Sequence, residues 1–575
     1  MAREKWVVMT KKADFQAMAQ EFGISPMLAR IIRNRDVISA EDVQYYLHGT
    51  PDQMHNPKQM KDMEKGAGIL LSSIHEKKKI RVIGDYDADG VCSSYILKKG
   101  LMHLGAEVSV QIPHRVTDGY GLNQRLIEEA DADGIDVIVT CDNGIAAHGE
   151  IAFAKQCGMT VVVTDHHEVP YEMVGDVRRE LLPEADAVIN PKQAACAYPY
   201  KGICGALVAY KLVQTMLDMA GADAAVLREL MEFAAIATVC DVMDLLDENR
   251  IVVKYGLQYL RDSANPGLRK LMEVSGLEEG RISSYHIGFI LGPCLNATGR
   301  LDTAMQALAL FEATEEEELY AIATSLKDMN ENRKNMTEQG LEAAVLQVEE
   351  CAYNQQQVLV VYLPECHESI AGIIAGRLKE KYYKPVFVLT DGEEGLKGSG
   401  RSVEGYSMYK ALCEVQDLLD KFGGHTMAAG VSLKPENLEQ FRQRLNERAH
   451  LTEDDLTPKI RIDIPMPLEY ASFDFVEELH RLEPFGNGNR KPLFAQKNVR
   501  IRNCAVRGKN RNVAGFTMET ENGYYVSGVY FGEADAFAAE LKAHDGYAHV
   551  VYYPEINEFR GNRSLQMVVS HYSFP

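Results

Sequence analysis

No run of about 18 apolar residues occurs in the 575-residue chain, so no membrane-spanning helix is predicted. Its 11 cysteines are scattered and form no C-x-x-C pair, which argues against a zinc knuckle and a disulfide framework. The opening residues, Met-Ala-Arg-Glu-Lys-Trp, lack an apolar signal core, so secretion is not expected and a cytoplasmic protein is. A surplus of positive charge is missing too: the formal net charge is −22. Nucleic-acid binders usually carry a basic footprint. Net charge bounds only long-range attraction, however, and a local basic groove can still bind. The total charge therefore lowers the expectation of a nucleic-acid partner without excluding one. The chain is long enough for three or four domains, each burying its own core.

The stretch Val82-Ile-Gly-Asp-Tyr-Asp-Ala-Asp-Gly90 carries the densest chemistry. Asp85, Asp87 and Asp89 follow a β-branched run of Ile80, Val82 and Ile83. Residues two apart in an extended segment share a face, so a strand end would project all three acids together. Three gathered carboxylates are costly without a cation, and their hard oxygens suit Mg²⁺ or Mn²⁺. The spelling also resembles the start of an EF-hand loop, but the position requiring Glu falls on Ile96, which disfavours a calcium loop.

From residue 68 to about 245, apolar strands alternate with helices, which predicts a parallel sheet covered on both sides. Ligands of such sheets bind beyond the carboxyl ends of the strands. The strand Asp136-Val-Ile-Val-Thr leads to Asp142, and Thr160-Val-Val-Val-Thr leads to Asp165-His166-His167. A lone Asp after a strand is more often a helix cap, but three acidic strand ends in succession favour a site. Asp241 and Asp244 follow a helix-like run, and Asp241 is preferred because the apolar run ends directly before it. The cysteines beside Asp142 and Asp241 read as small buried residues. Asn296 and Arg300 are placed on a Gly/Pro-rich loop, either an ordinary surface loop or a phosphate or metal contact.

Residues 314–355 form a polar, strongly helical connection, and a second α/β domain is expected over 356–455. Its segments Gly398-Ser-Gly-Arg401 and Phe422-Gly-Gly-His425 read as glycine-rich loops with backbone N–H groups free to cradle an anion. Either alone is commonly a tight turn; together, with Ser399, Arg401, Gly424 and His425, they read as a phosphate-chain clamp. Residues 459–575 turn to short strands with one helix, as in an OB-like barrel. Between Arg490 and Asn512 lie eight Lys or Arg and no Asp or Glu. A solvated basic hairpin would look the same, but positive charge segregated in so acidic a chain favours nucleic acid, with exposed aromatics to stack bases. Residues 1–67 read as a helical packing appendage.

Four carboxylate groups and a histidine at strand ends imply two divalent ions about 4 Å apart, bridged by Asp142 or Asp87, for in-line attack on phosphorus. His166 would be a ligand through neutral imidazole, and His167 a donor to the transition-state oxygens.

The ordered segments Gly84-Asp-Tyr-Asp-Ala-Asp-Gly90, Val139-Thr-Cys-Asp-Asn-Gly-Ile145, Thr164-Asp-His-His167 and Thr238-Val-Cys-Asp-Val-Met-Asp244 resemble the motifs of the DHH phosphoesterase superfamily. Leu291-Gly-Pro-Cys-Leu-Asn-Ala-Thr-Gly-Arg-Leu-Asp302, Lys397-Gly-Ser-Gly-Arg401 and Phe422-Gly-Gly-His-Thr-Met-Ala-Ala-Gly430 resemble its RecJ branch of single-stranded-DNA-specific exonucleases. The resemblance implies a DHH domain over 68–313, a linking helix over 314–355, a DHH-associated domain over 356–455 and an OB-like domain over 459–575. It implies Asp85, Asp87, Asp89, Asp142, His166 and Asp241 as ligands of two Mn²⁺ or Mg²⁺ ions, with His167 and Asp165 catalytic. Arg115, Asn296, Arg300, Arg377, Ser399, Arg401, Gly424 and His425 would bind substrate, Arg115 at a 5′-phosphate. The implied activity is metal-dependent 5′→3′ degradation of single-stranded DNA to mononucleotides in repair and recombination, by a monomer, with a single-stranded-DNA-binding protein and a helicase as partners. The rival within the superfamily is a phosphodiesterase for short oligoribonucleotides or cyclic dinucleotides; a catalytically dead DNA-binding scaffold is disfavoured because every expected metal acid is present.

Overall fold

The computed structural model describes residues 4–115, 117–119, 121–277, 282–392, 395–559 and 561–575. The chain divides into two compact units: residues 56–241 and 256–458 form the bulk of one, and residues 6–55, 242–255 and 459–575 form the other. Among the described residues no helix is long and apolar enough to cross a membrane.

The first unit begins with a sheet of five strands, β1 (Lys79–Ile83), β2 (Glu107–Gln111), β3 (Val137–Cys141), β4 (Thr160–Thr164) and β5 (Ala187–Ile189). All are parallel, in the order β2-β1-β3-β4-β5. Every residue of β3 is buried, because helices cover both faces. On one side α1 (Ala88–His103) packs against α2 (Gly205–Ala220) and α3 (Val226–Cys240). On the other, Leu126, Ile127 and Ile151 from two shorter helices meet Ile138, Val161 and Val163. Parallel strands share one carboxyl edge, so the segments after β1, β3 and β4 emerge side by side.

Residues 287–301, expected as a loop, are helical: a π-helical turn Ile287–Leu291 runs into α4 (Gly292–Leu301). The glycines that looked like turn residues are there for close packing. A Cβ on Gly292 would lie 2.3 Å from Cys240 Sγ, and one on Gly299 would lie 2.0 Å from the Tyr86 carbonyl oxygen. Pro293, which has no N–H to donate, directly follows the π-helical turn, where the α-helical hydrogen-bond ladder is already interrupted.

The 35-residue helix α5 (Glu316–Glu350) leads to the second lobe of this unit. Its sheet comprises β6 (Leu359–Tyr362), β7 (Val386–Gly392), β8 (Gly395–Arg401), β9 (Leu419–Gly424) and β10 (Ala428–Leu433), in the order β9-β10-β8-β7-β6. Only β6 and β7 are parallel. Alternate residues of β7 serve two cores. Val386 and Val388 meet Ala344 and Val348 of α5 and Ile374 of α6 (Glu368–Tyr382). Phe387 and Leu389 face Phe441 and Leu445.

The first of the two expected glycine loops is instead the central strand β8, and the second is mostly strand. Gly398 pairs with Leu389 and Gly400 with Phe387. A Cβ on Gly398 would fall 2.3 Å from Leu389 Cδ2, and one on Gly400 2.7 Å from Phe387 Cε1. These glycines leave room for neighbouring side chains to lie over the strand. Gly424 does need its freedom: its φ is +141° at the start of the β9–β10 turn.

In the second unit, β11 (Phe494–Arg507), β12 (Val513–Glu519), β13 (Tyr525–Phe531), β14 (Tyr547–Phe559) and β15 (Asn562–Ser573) pair in the order β11-β12-β13-β15-β14, and β14 pairs back to β11. A single helix, Ala534–Ala543, separates β13 from β14. The N-terminal helices are built into this unit: Leu28, Ile31 and Tyr46 share a core with Leu479, Phe494 and Tyr552. The Tyr46 hydroxyl donates to Asn489 Oδ1 at 2.8 Å, and the Arg250 guanidinium lies 4.0 Å from the Tyr46 ring centre.

The basic stretch on and around β11 is less free than its sequence implied. Val499 and Ile501 point inward while Arg500 and Arg502 point out. Lys491 pairs with Glu555 at 2.7 Å, Arg502 with Glu519 at 2.5 Å, and Arg511 with Asp535 at 2.5 Å. Acids from other strands therefore offset part of the charge, which a one-dimensional count cannot register.

Gly400→Ala is expected to destabilise the second lobe by about 1–3 kcal/mol through overpacking against Phe387. Thermal unfolding checks this, and an unchanged melting temperature would contradict the packing role.

Candidate metal centre

The strand β1 ends at Ile83, and the three acids that follow are gathered by a turn and a helix start rather than by strand pleat. Asp87 is the N-cap of α1, its Oδ1 accepting from the N–H groups of Asp89 and Gly90 at 2.9 and 3.0 Å. The Asn296 side-chain oxygen accepts from Ala88 N at 2.9 Å, so α4 braces the same turn. Asp89 points into the unit: its carboxylate accepts from Gly205 N and Ala206 N, each at 2.7 Å, at the positive end of α2.

Asp142 follows β3 with φ +61°, a left-handed conformation rare outside glycine and frequent at functional sites. Gly205 makes room for it, since a Cβ there would lie 2.7 Å from Asp142 Cβ. Asn143 donates to the carbonyls of Ile83 and Cys141 at 3.1 and 2.9 Å, tying the ends of β1 and β3 together.

These elements place ligand atoms in three sets, each within 4.8 Å: Asp85, Asp87 and Asp142; Asp89, His166 and Asp241; and Asp142, His166 and His167. The first acidic motif is thus split between two groups, and Asp142 connects them. His166 Nε2 lies 3.1 Å from Asp142, 3.6 Å from Asp89 and 3.7 Å from Asp241. Asp244, the other acid of the Asp241 motif, belongs to the second unit, where its Oδ1 accepts from Asn487 Nδ2 at 2.8 Å.

The charges explain what this arrangement is built to hold. Burial, then the neighbouring carboxylates, pushes Asp85, Asp89, Asp142 and Asp241 above the usual carboxylate range. Burial, then the His167 charge, pushes His166 down to about 3, leaving a neutral ring with a lone pair. Asp85 Oδ1 is buried with no hydrogen-bond partner among the described residues. Crowded acids, a neutral imidazole and a buried unsatisfied oxygen fit divalent cations.

Asp165, expected to be catalytic, turns its carboxylate to the two histidines. Its Oδ1 accepts from His166 N, His167 N and His167 Nδ1 at 2.7, 3.0 and 2.8 Å, and its Oδ2 from Ile145 N at 2.9 Å. Burial alone would raise it, but the bond and charge of His167 override that and hold it at about 2. Burial works against protonation of His167, yet the Asp165 bond raises it to about 9. The Asn190 side-chain N–H also holds the His167 carbonyl at 3.0 Å. Asn143 and Asn190 carried no sequence signal of their own beyond adjacency to a motif or a strand end.

Beside the acids, a cleft of about 450 Å³ lies between the two lobes of the first unit, lined by Tyr86, Arg115, Lys397, Ser399, Lys421 and Phe422 among others. The Arg115 guanidinium stands 4.8 Å from the Tyr86 ring centre; Val116 and Tyr120 of its motif lie outside the described residues. Arg300 donates to the Ser369 carbonyl at 2.7 Å, linking α4 to α6. Burial, then Arg115 and Arg333, depresses Arg300 to about 10; burial, then Arg115, lowers Arg401. These cations crowd one another as the acids do, which fits a phosphate. Of the expected substrate-binding residues only Arg115 and Ser399 line the cleft; Gly424 borders its residue Gly423, Arg300 reaches it through Ser369, and Asn296, Arg377, Arg401 and His425 do not line it. Arg377 is exposed beside Glu380 at 3.4 Å on α6, and His425 sits exposed at the β9–β10 turn. Tyr86, Lys397, Lys421 and Phe422 are given no role by the sequence because only folding brings them to one cleft.

Comparison with known proteins agrees with this geometry. Residues 79–238 match the DHH family, N-terminal domain; residues 355–451 match the DHHA1 domain; and residues 462–571 match the RecJ OB domain. The chain is 34% identical over 571 residues to the single-stranded-DNA-specific exonuclease RecJ of Salmonella typhimurium, covering 95% of each. It is 32% identical to the Escherichia coli RecJ, covering 95% of this chain and 96% of that one. Against the Bacillus subtilis RecJ it is 34% identical over 91% of this chain but spans only 65% of that protein's length. The crystal structure of Thermus thermophilus RecJ in complex with Mn²⁺ superposes with a TM-score of 0.83 at 26% identity, covering 100% of this chain and 80% of that one. The Mg²⁺ complex gives 0.78 at 25% identity, covering 100% and 79%.

Because the buried acids bind protons more readily folded than unfolded, metal-free stability is expected to fall as pH rises above about 4. Mn²⁺ should reverse the loss, adding roughly 2.7 kcal/mol at a hundred times its Kd. Asp142→Asn should leave the metal-free fold no less stable and erase the Mn²⁺ increment. Calorimetry across pH, with and without the ion, tests both signs.

Proposed function

The chain belongs to the RecJ branch of the DHH phosphoesterases, and we propose that it hydrolyses single-stranded DNA from the 5′ end to mononucleotides. The observation that carries this reading is two ligand groups joined through Asp142 beside a cationic cleft. Asp85, Asp87 and Asp142 would hold one divalent ion; Asp89, His166 and Asp241, with Asp142, would hold the other. When bound, two Mn²⁺ or Mg²⁺ ions supply Lewis acidity toward phosphoryl oxygens and activate the attacking water.

The chain's own residues do the rest. Arg115 and Ser399 of the cleft, with Arg401 two residues beyond Ser399 on the same face of β8, hold the terminal phosphate, and the Arg300 bond to Ser369 keeps the two walls of the cleft at a fixed separation. Asp165 keeps His167 oriented and protonated, so that its N–H faces the oxygen that gains charge during displacement. Asn296 and the Asp87 cap hold the acidic turn still, which keeps the scissile bond in line. A cleft narrow enough for one strand excludes duplex by shape. An enzyme confined to single strands depends on other proteins to expose them, which supports a helicase and a single-stranded-DNA-binding protein as partners in repair and recombination. Both ligand groups lie within one chain, which supports action as a monomer, and the DNA substrate supports a cytoplasmic location.

The oligoribonucleotide or cyclic-dinucleotide reading shares the metal residues. Truncation at residue 459 would be a poor discriminator, because the N-terminal helices share the barrel's core. Substrate comparison on the full chain is the better test. With Mn²⁺ or Mg²⁺, 5′-labelled single strands should release labelled mononucleotide from the first turnover, and blunt duplex should resist. Asp142→Ala should cost more than about a hundredfold, beyond the usual cost of losing a supporting partner. Cleavage confined to very short RNA or cyclic dinucleotides, or equal cleavage of duplex, would overturn the proposal.

A further inference from the structure

Tyr285 and Phe289 are 61% and 64% exposed, with their rings stacked at 4.9 Å between centroids and 25° between planes. They stand about one turn apart on the helical stretch that runs through the π-helical turn Ile287–Leu291 into α4. The inner side of that stretch carries Ile287 and Leu291 together with glycine. A Cβ on Gly288 would touch Val239 Cγ1 at 3.5 Å, and one on Gly292 would collide with Cys240 Sγ. The stretch therefore lies close against the end of α3, directly before Asp241.

Along α4 the part-exposed positions are Pro293, Asn296, Arg300 and the terminal Leu301. Tyr285 and Phe289 continue the stripe through Pro293, Asn296 and Arg300 at spacings of four, four, three and four, so all lie on one helical side. At about 1.5 Å rise per residue, Phe289 stands roughly 10 Å from Asn296 and 16 Å from Arg300 along the axis. One end of the stripe braces the acidic turn and borders the phosphate cleft; the other presents two uncovered aromatic faces. Any unpaired base offers a π face to such a platform, whatever its sequence.

We propose that the stacked Tyr285–Phe289 pair is a base-stacking platform for the substrate strand, gripping nucleotides a short distance from the metal centre. This rests on the single-strand nuclease reading above, because continuity with that cleft selects an unpaired base as the occupant. The platform adds affinity for the strand without contacting the reacting phosphate.

The test is a set of Michaelis curves for Mn²⁺-supported digestion of a single strand of about twenty nucleotides, a length that exceeds one module's usual footprint. Phe289→Ala should raise KM roughly tenfold, in line with the loss of one stacked base, with a much smaller change in kcat. Phe289→Trp should restore KM, and Tyr320→Ala, which removes an exposed ring on α5 (57% exposed), should behave as wild type. On a strand with abasic sites over its 5′ positions, wild type should lose the same factor and Phe289→Ala should add nothing. An unchanged KM in Phe289→Ala would overturn the platform while leaving the nuclease reading intact. An equal loss on normal and abasic strands would overturn it in favour of a structural role. A wild-type chain that digests no single strand would overturn the nuclease reading, and the platform with it.

Discussion

Like-charge repulsion among buried acids at one edge of a parallel sheet is the constraint around which the first unit is arranged. Asp85, Asp89 and Asp142 are almost wholly buried, and each raises the cost of ionising the next. The neighbouring structure offsets this with dipoles and N–H groups: the start of α2 on Asp89, the start of α1 on Asp87, and three N–H groups converging on Asp165 Oδ1. What these cannot neutralise is left for cations. The site is therefore strained in the metal-free chain and relaxed in the loaded one, so metal affinity and fold stability are two readings of one balance.

A second, opposite accumulation lies beside the first. Burial and the Arg115 charge hold Arg300 and Arg401 below the usual guanidinium range beside the cleft between the lobes, as burial and charge raise the acids. A phosphodiester would answer both, its oxygens satisfying the cations and its phosphorus turned toward the acid-held edge. The lobes are linked at this point by the Arg300 bond to Ser369, from the same helix whose Asn296 braces the acidic turn. One short helix, α4, thereby couples phosphate binding to ligand placement.

The order of acids and strands was legible because it depends on neighbours in the chain. Apolar runs buried on both faces give parallel strands, and parallel strands deliver their following residues to one edge. Hence Asp85, Asp87, Asp89, Asp142 and His166 could be named from residue pattern alone. Glycine was the misleading signal. Gly292, Gly299, Gly398 and Gly400 looked like turn formers, yet each sits in a helix or strand with another element against its missing Cβ. A glycine that makes a turn and a glycine that permits close approach are the same letter.

By itself, then, the sequence determined the strands of the first sheet, the edge on which chemistry collects, and the residue types that call for hard divalent ions. Only the tertiary structure decided how the acids divide. Asp85 and Asp87 fall to one group, Asp89 and Asp241 to the other, and Asp142 connects them, because α2 and α3 approach the turn from far along the chain. It likewise decided that Asp165 aims His167, that Arg377 and His425 lie off the cleft wall, and that Glu519, Asp535 and Glu555 offset part of the basic strand. In each case the deciding contact joins residues that no local spacing relates, and electrostatic energy depends on distance in space rather than along the chain.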